Sequence, residues 1–215
     1  IDECHLVAPD VAGQYHKLIS NLKEVNPALK ILGLTATPYR LDSGYLTQWE
    51  TPIFERVVYK IDVKLLIKRG FLCPIVSNGG GVKVDVSKVK HKGGEFLDSA
   101  LESLYMSKTV EIVADIVKKG IDRKAWLIFC VSIEHAEQVT AELISHGINT
   151  ACYHSQSDNE YILDDFTHGR LKCLVNVNIL TTGSNFPIAD MCVLIRATES
   201  TALYVQIVGR VMRLY

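Results

Sequence analysis

The sequence predicts an α/β protein built on parallel sheets flanked by helices, with one partial domain followed by one nearly complete domain. Three observations predict it. Short, near-continuous apolar runs recur at residues 125–131, 173–177 and 191–195. Segments of helical period alternate with them, and strands apolar on both faces need helices on both faces. Polar clusters follow the ends of the apolar runs, where open parallel sheets bind their ligands.

The elements follow in chain order. Residues 11–25 have helical spacing, with Leu18, Ile19, Leu22 and Val25 on one face. Residues 30–34 (KILGL) read as a buried strand that stops at Thr35-Ala36-Thr37-Pro38, because Pro38 disfavours helix at Thr37. Residues 39–54 are rich in turn formers and expected to be irregular. Residues 62–69 predict a short helix closed by Gly70. Residues 74–89, with Gly79-Gly80-Gly81, read as extended. Residues 96–119 predict one amphipathic helix with Leu97, Leu101, Leu104, Val110, Val113 and Val117 inside and Gly120 closing it. Strands are expected at 125–131, 150–153, 173–177 and 191–195. Helices are expected at 133–146, ended by Gly147, at 159–167 and at 202–214.

The 215 residues carry a formal charge of −1, with 48% hydrophobic and 22% charged residues. That composition suits a globular protein of one or two domains. No run approaches the roughly 18 apolar residues of a membrane span, and no leader suggests secretion. The missing Met and an opening on a strand end predict a fragment. The six cysteines form no CxxC pair, which leaves zinc without support and predicts buried, reduced thiols in a cytoplasmic protein. Residues 60–92 hold eight basic against two acidic residues, a net of +6. Such a run is either a solvated loop or a surface that tracks phosphates.

Four polar elements carry chemistry. Asp2-Glu3 places two carboxylates after a strand, where one can hold Mg²⁺ on a nucleotide and the other can orient and deprotonate water. As a bare dipeptide it is equally a solvated pair. Thr35-Ala36-Thr37 sets small hydroxyls at a strand end, which a turn cap would also explain. Leu180-Thr181-Thr182-Gly183-Ser184-Asn185 follows the 173–177 run. Gly183 permits close backbone approach and the hydroxyls suit phosphates. Gln206, Arg210 and Arg213 form Q-x-x-G-R-x-x-R, with the arginines three apart on one expected helix face. Guanidinium forks suit the charge of a transferring phosphoryl group. Ser132, beyond the 125–131 run, reads equally as a helix N-cap or as a nucleic-acid contact.

Asp2-Glu3-Cys4-His5 matches the D-E-x-H box of superfamily-two helicases, and the other elements resemble that family's motifs in the same order. The resemblance is to the DEAD/DEAH-like class. Residues 33–40 (GLTATPYR), 77–96 and 198–214 look more particularly like bacterial RadD-type DNA repair helicases. The family usually carries Asp where this chain has Asn185, which keeps an acceptor but loses the charge.

The resemblance implies RecA-like domains at residues 1–60 and 61–215, with ATP and Mg²⁺ bound between them and nucleic acid, DNA rather than RNA, crossing one face. It implies that Asp2 holds Mg²⁺, Glu3 is the general base, and His5, Thr35 and Thr37 couple nucleotide state to motion. Arg210 and Arg213 would serve the γ-phosphate, Gln206 would help place the water or His5, Gly183 and Asn185 would serve the nucleotide, and Ser132, Thr181 and Thr182 the nucleic acid. No Gly-Lys dipeptide occurs, so the phosphate loop G-x-x-x-x-G-K-[ST] is absent and the 215 residues alone are expected to be inactive. Two alternatives stand beside this reading: a double-stranded DNA translocase that does not unwind, and a degenerate motor fold serving as a binding module.

Overall fold

The computed structural model describes residues 1–40, 42–92, 95–157, 161–180 and 185–214. Two compact units emerge: Ile1–Asp62 with Ser200–Val205, and Val63–Glu199 with Gln206–Tyr215.

In the first unit, Cys4–Leu6 form one 3-10 turn, and α1 (Gln14–Val25) follows. A hairpin of β1 (Tyr39–Arg40) and β2 (Gly44–Tyr45) sets Tyr39 opposite Tyr45. The core is small: Cys4, Val7, Leu46, Trp49 and Phe54, with Ile1, Ile31 and Ile53 against them. α1 forms where its spacing predicts, yet buries no residue, and Leu18 is 54% exposed. Apolar spacing defines a face; burial also needs a layer to cover it.

The expected buried strand at residues 30–34 is corrected. The segment carries no regular strand, and Leu32 and Leu34 are exposed. It does pair along one edge with residues 1–4. The Ile1 amine donates to the Leu32 carbonyl at 2.7 Å, Leu34 N–H to the Ile1 carbonyl at 2.9 Å, and Cys4 N–H to the Leu34 carbonyl at 3.0 Å. Backbone pairing fixes its extended course, but no described layer covers Leu32 and Leu34.

The second unit begins with α2 (Val63–Lys68). A long extended segment leads to the hairpin of β3 (His91–Lys92) and β4 (Glu95–Phe96). The expected single helix over 96–119 is two: α3 (Asp98–Met106) and α4 (Thr109–Gly120). The break falls at Ser107 and Lys108, where the Ser107 hydroxyl donates to the Leu104 carbonyl at 2.8 Å and competes with the helix. Leu101 and Val113 are buried as expected, while Val110 is exposed. Gly120 is the last residue of α4 rather than a cap beyond it. A Cβ there would stand 2.5 Å from Trp126 Cζ2, so the glycine lets α4 lie against the strand that follows.

Next come β5 (Trp126–Cys130), α5 (Ile133–Ser145), β6 (Thr150–Tyr153), α6 (Tyr161–Thr167), β7 (Cys173–Asn176) and β8 (Met191–Ile195), and α7 (Thr201–Val208) follows in the chain, its residues 201–205 grouped with the first unit. The four strands form one parallel sheet in the order β6-β7-β5-β8, with Trp126 level with both Cys173 and Met191. All five β5 side chains are buried, which is what a central strand covered on both faces requires. Val113 and Ile116 of α4, and Ala136, Val139 and Leu143 of α5, join Trp126, Ile128, Cys130 and Val175 in one core. Each fully buried Val, Leu or Ile contributes roughly 1.5–3 kcal/mol.

The expected helix over 202–214 is also corrected, because α7 stops at Val208. Arg210 N–H bonds the Ile207 carbonyl at 3.1 Å and Val211 N–H bonds the Val208 carbonyl at 3.2 Å, so the chain tightens into turns. Cys73 N–H then takes the Met212 carbonyl at 2.8 Å, and Leu72 bridges Arg213. Backbone groups committed to this cross-chain pairing cannot continue a helix.

The six cysteines are free thiols. Burial pushes Cys130 and Cys173 well above the ordinary range, and Cys192 up to about 12. No helix among the described residues is long and apolar enough to cross a membrane.

Candidate functional site

The first unit gathers five of the residues singled out from the sequence. Glu3 stands in the left-handed region at φ 46°, uncommon for a residue with a side chain, and its N–H donates to Asp2 Oδ1 at 2.9 Å. The 3-10 turn then buries His5 beside Thr35, thirty positions on, with Nδ1 2.9 Å from Thr35 Oγ1. The Thr35 hydroxyl donates to the Thr37 carbonyl at 3.2 Å and accepts from Thr37 N–H at 3.0 Å. With that hydrogen spent, His5 Nδ1–H is the donor to Thr35. Glu3 Oε2 lies 3.4 Å from the same Nδ1. The acidic box and the Thr-Ala-Thr element thus form one connected cluster. Thr37 is fully buried, and its hydroxyl has no partner among the described residues.

Arg40, not singled out from the sequence, braces this cluster. Its Nη1 donates to the carbonyls of His5 and Val7, each at 3.3 Å. Its other face forks onto Asp42 at 3.0 and 3.1 Å. Arg40 holds the Asp42 carboxyl down at about 2, with help from the Ser43 hydroxyl. The R-x-D spacing was the available signal.

Mg²⁺ has a modest fit here. No group of three or more His, Cys, Asp or Glu that could hold a metal occurs among the described residues. Mg²⁺ on a nucleotide is typically held by one or two carboxylates plus phosphates and water, a demand the exposed Asp2 meets.

In the second unit Ser132 stands just past the carboxyl end of β5, one of the parallel strands. A cleft of about 340 Å³ opens there, lined by Ile133, His154, Ser155, Val177, Asn178 and Ile179. A separate hollow of about 430 Å³ in the first unit, lined by Asp10, Trp49 and neighbours, contains none of the expected site residues. Ser132 is the N-cap of α5, accepting from His135 N–H at 3.1 Å, and it also contacts the Glu102 carboxylate. Thr181, Thr182 and Gly183 lie outside the described residues. Asn185 is described and exposed, and its Oδ1 accepts from Arg213 Nη1 at 2.6 Å.

The arginine pair differs from expectation. Both residues lie beyond α7, not on one helix face. Arg210 is buried at 7% exposure and Arg213 is exposed, so the two are presented differently. Gln206, still on α7, is half-buried.

Sequence reasoning missed Asn178 and Arg196. Asn178 adopts φ 57°, a conformation asparagine tolerates better than most residues, and it bonds the buried Arg196 guanidinium. Arg196 Nη2 also faces Asp98 at 3.7 Å. An arginine directly after an apolar strand run was the signal for Arg196; asparagine just past another such run was the signal for Asn178.

Comparison with known proteins adds the following. The family model described as helicase conserved C-terminal domain matches residues 108–215. The chain is 28% identical over 226 residues to a Saccharomyces cerevisiae protein designated ATP-dependent helicase IRC3, across all of this chain and 32% of that protein. It is 28% identical over 194 residues to the Schizosaccharomyces pombe protein designated mitochondrial ATP-dependent helicase irc3, across 87% of this chain and 31% of that protein. The chain therefore spans less than a third of the length of these two curated relatives. Among solved structures, a fragment of an HsdR subunit of a type I restriction enzyme from Vibrio vulnificus superposes with a TM-score of 0.63. That match is 25% identical and covers 93% of this chain and 39% of the other.

Proposed function

Because the chain belongs to the helicase conserved C-terminal domain family, we propose that it is part of an ATP-driven, superfamily-two motor that moves along nucleic acid, DNA rather than RNA, in the cytoplasm. One observation carries the reading most strongly. His5 Nδ1 lies 2.9 Å from Thr35 Oγ1 and 3.4 Å from Glu3 Oε2, which ties a carboxylate suited to base catalysis to a second element that can report its state.

Bound ATP with Mg²⁺ supplies the phosphoryl group and the counter-charge of its oxygens. The chain's own residues do the rest. Asp2 would offer a carboxylate oxygen to Mg²⁺. Glu3 orients the attacking water and accepts its proton as the new P–O bond forms and the bridging P–O bond breaks. His5 passes any shift of Glu3 to Thr35 and Thr37. Arg210 and Arg213 offset charge on the transferring group, a contribution of about 10³–10⁵ in rate for such arginines. Gln206 helps place the water or His5, Gly183 and Asn185 position the nucleotide, and Ser132, Thr181 and Thr182 contact the nucleic-acid backbone.

In the intact protein, Glu3→Gln is expected to bind ATP and stall hydrolysis. Arg210→Ala is expected to lose orders of magnitude in turnover with nearly normal DNA binding. Wild-type-like turnover in either variant refutes the assignment. The 215 residues alone, with no Gly-Lys dipeptide, are proposed to be inactive; robust DNA-stimulated ATPase from them would overturn that.

The finer proposal is a RadD-type role in DNA repair, supported by residues 33–40, 77–96 and 198–214. Cells lacking the protein should then be sensitised to DNA-damaging agents. A second reading, translocation on duplex DNA without unwinding, draws support from the likeness to the restriction-enzyme subunit. Triplex displacement without strand displacement would favour it.

A further inference from the structure

We infer that residues 82–90 form a fixed basic strap that contacts the phosphodiester backbone of bound nucleic acid, a surface separate from the motif loops. This rests on the motor reading above and names an additional contact for its nucleic acid.

The strap is anchored at both ends. At its start, Gly81 N–H donates to Asp115 Oδ2 at 2.9 Å, and Lys119 Nζ donates to that oxygen at 2.7 Å and to the Gly79 carbonyl at 2.8 Å. A Cβ on Gly81 would stand 2.6 Å from Asp115 Oδ1, so the chain lies close against the α4 side chain that holds it. At its other end, Val89 is buried with Leu101 and Val131, and Val86 and Ala197 pack on the same cluster. Leu97 N–H then takes the Lys90 carbonyl at 2.9 Å.

Between the anchors the side chains alternate. Val82, Val84 and Val86 are half-buried, while Lys83, Asp85 and Ser87 are exposed. Lys88 and Lys90, flanking buried Val89, are exposed too. Over residues 82–86 the extended chain puts successive side chains on opposite faces, so the valines hold the strap down and Lys83 stands outward. The chain then turns at Ser87 and Lys88, where Val89 N–H takes the Val86 carbonyl at 3.0 Å, and this turn presents Lys88 and Lys90 on either side of the buried Val89. None of these three lysines pairs with a carboxylate among the described residues, and Asp85 is spent partly on Ser87 N–H at 3.0 Å.

The placement points to a ligand. Val131 directly follows β5 and Ala197 stands two residues past β8, so the Val86–Val89 end lies at the carboxyl ends of the sheet. That is the end where Ser132, Asn178 and Arg196 stand. A solvated loop needs neither two anchors nor half-buried valines beneath its lysines. Unpaired ammonium groups on a segment tied at two points, and ending at the carboxyl ends of a parallel sheet, fit a linear polyanion. Ammonium groups act on phosphates as point charges and carry no sequence readout, so the contact is indifferent to base and to sugar.

The test uses the intact protein and fluorescein-labelled dT30 and rU30, with anisotropy titrations over a series of salt concentrations. Each phosphate neutralised by a lysine adds about 0.7 to the steepness of log K against log salt on a single strand, so removing three such lysines lowers it by about 2. K83E/K88E/K90E is expected to show that drop on both probes and at least tenfold weaker binding near physiological salt. K83Q/K88Q/K90Q should show the same drop in slope without adding repulsion or burying a charge. K17E/K23E/K30E, the same charge change at exposed lysines of the first unit, should keep the wild-type slope. Wild-type slopes in both strap variants overturn the strap while leaving the motor intact. An equal drop in the control triple also overturns it, by making the effect one of net charge. Failure of the wild type to bind either probe overturns the motor reading itself.

Discussion

Replacing His135 with phenylalanine separates burial from hydrogen bonding in the second unit. His135 lies in the first turn of α5 with no exposed surface, stacked on Tyr105 at 5.8 Å between centroids and 23° between planes. Neither ring nitrogen has a hydrogen-bond partner among the described residues. Burial lowers its pKa from 6.5 to about 4, against the opposing pull of Glu102. The folded pKa is depressed, so the unfolded chain takes up a proton near pH 6.5 that the folded chain refuses. Stability from the neutral ring is therefore complete above pH 6.5 and is lost as pH falls toward 4. At about 1.36 kcal/mol per pH unit, the loss across that window is roughly 3 kcal/mol. His135→Phe removes the titration and two stranded nitrogens, whose burial typically costs ~1–3 kcal/mol each, and keeps a ring on Tyr105. Urea unfolding at a series of pH values compares the two proteins, and their difference cancels the carboxylates they share. The variant should be at least as stable at pH 7, and its advantage should grow by roughly 3 kcal/mol on acidification to pH 4. His135→Leu, without the larger ring, should show the same pH trend. A difference between wild type and variant that stays constant from pH 7 to 4 refutes the reasoning.

Gly120→Ala gains about 1 kcal/mol of helix propensity but drives a Cβ to 2.5 Å from Trp126 and 2.9 Å from Met191 Sδ. Overpacking costs about 1–3 kcal/mol, so the net effect should be destabilising, read as a fall of a few degrees in melting temperature; an unchanged or higher midpoint contradicts the packing argument. Ser132→Ala should cost about 1 kcal/mol through loss of the α5 cap, and its recovery in Ser132→Asn would assign that cost to capping. Glu3→Gly relaxes a left-handed residue, so the first unit should unfold at the same or higher urea concentration while ATPase of the intact protein disappears; a large loss of stability would mean the conformation is not strained. Thr35→Val removes the acceptor of His5 Nδ1, and the intact protein should keep ATP binding while nucleic-acid stimulation of its ATPase falls; unaltered stimulation breaks the proposed link.

Much of the second unit was legible from periodicity. The runs that became β5 and β8 are apolar throughout and that of β7 is broken only by Asn176, a pattern that burial on two faces imposes on a sequence. The α5 and α6 segments fell where spacing put them. The errors share a cause. Residues 96–119 read as one helix because the apolar period continues through Ser107 and Lys108, although a side-chain bond breaks the backbone there. Residues 202–214 read as helix because nothing local forbids it, although Leu72 and Cys73 capture the backbone of residues 212–213.

For the candidate site, residue types and order were legible: Asp2-Glu3-Cys4-His5, Thr35-Ala36-Thr37 and Q-x-x-G-R-x-x-R stand in the sequence as chemistry. What the sequence by itself determined was therefore the class of fold, through hydrophobic period, and the identity of the reactive groups, through short spacings. Only the tertiary structure decided that His5 bonds Thr35, that Arg40 braces the carbonyls of His5 and Val7, that Arg210 is buried while Arg213 meets Asn185, and that the lysines of residues 82–90 stand on an anchored strap. Those contacts join residues about thirty or more positions apart, or turn on which face another layer covers. Local propensity carries no information about either, because each depends on free energy gained only when distant segments meet.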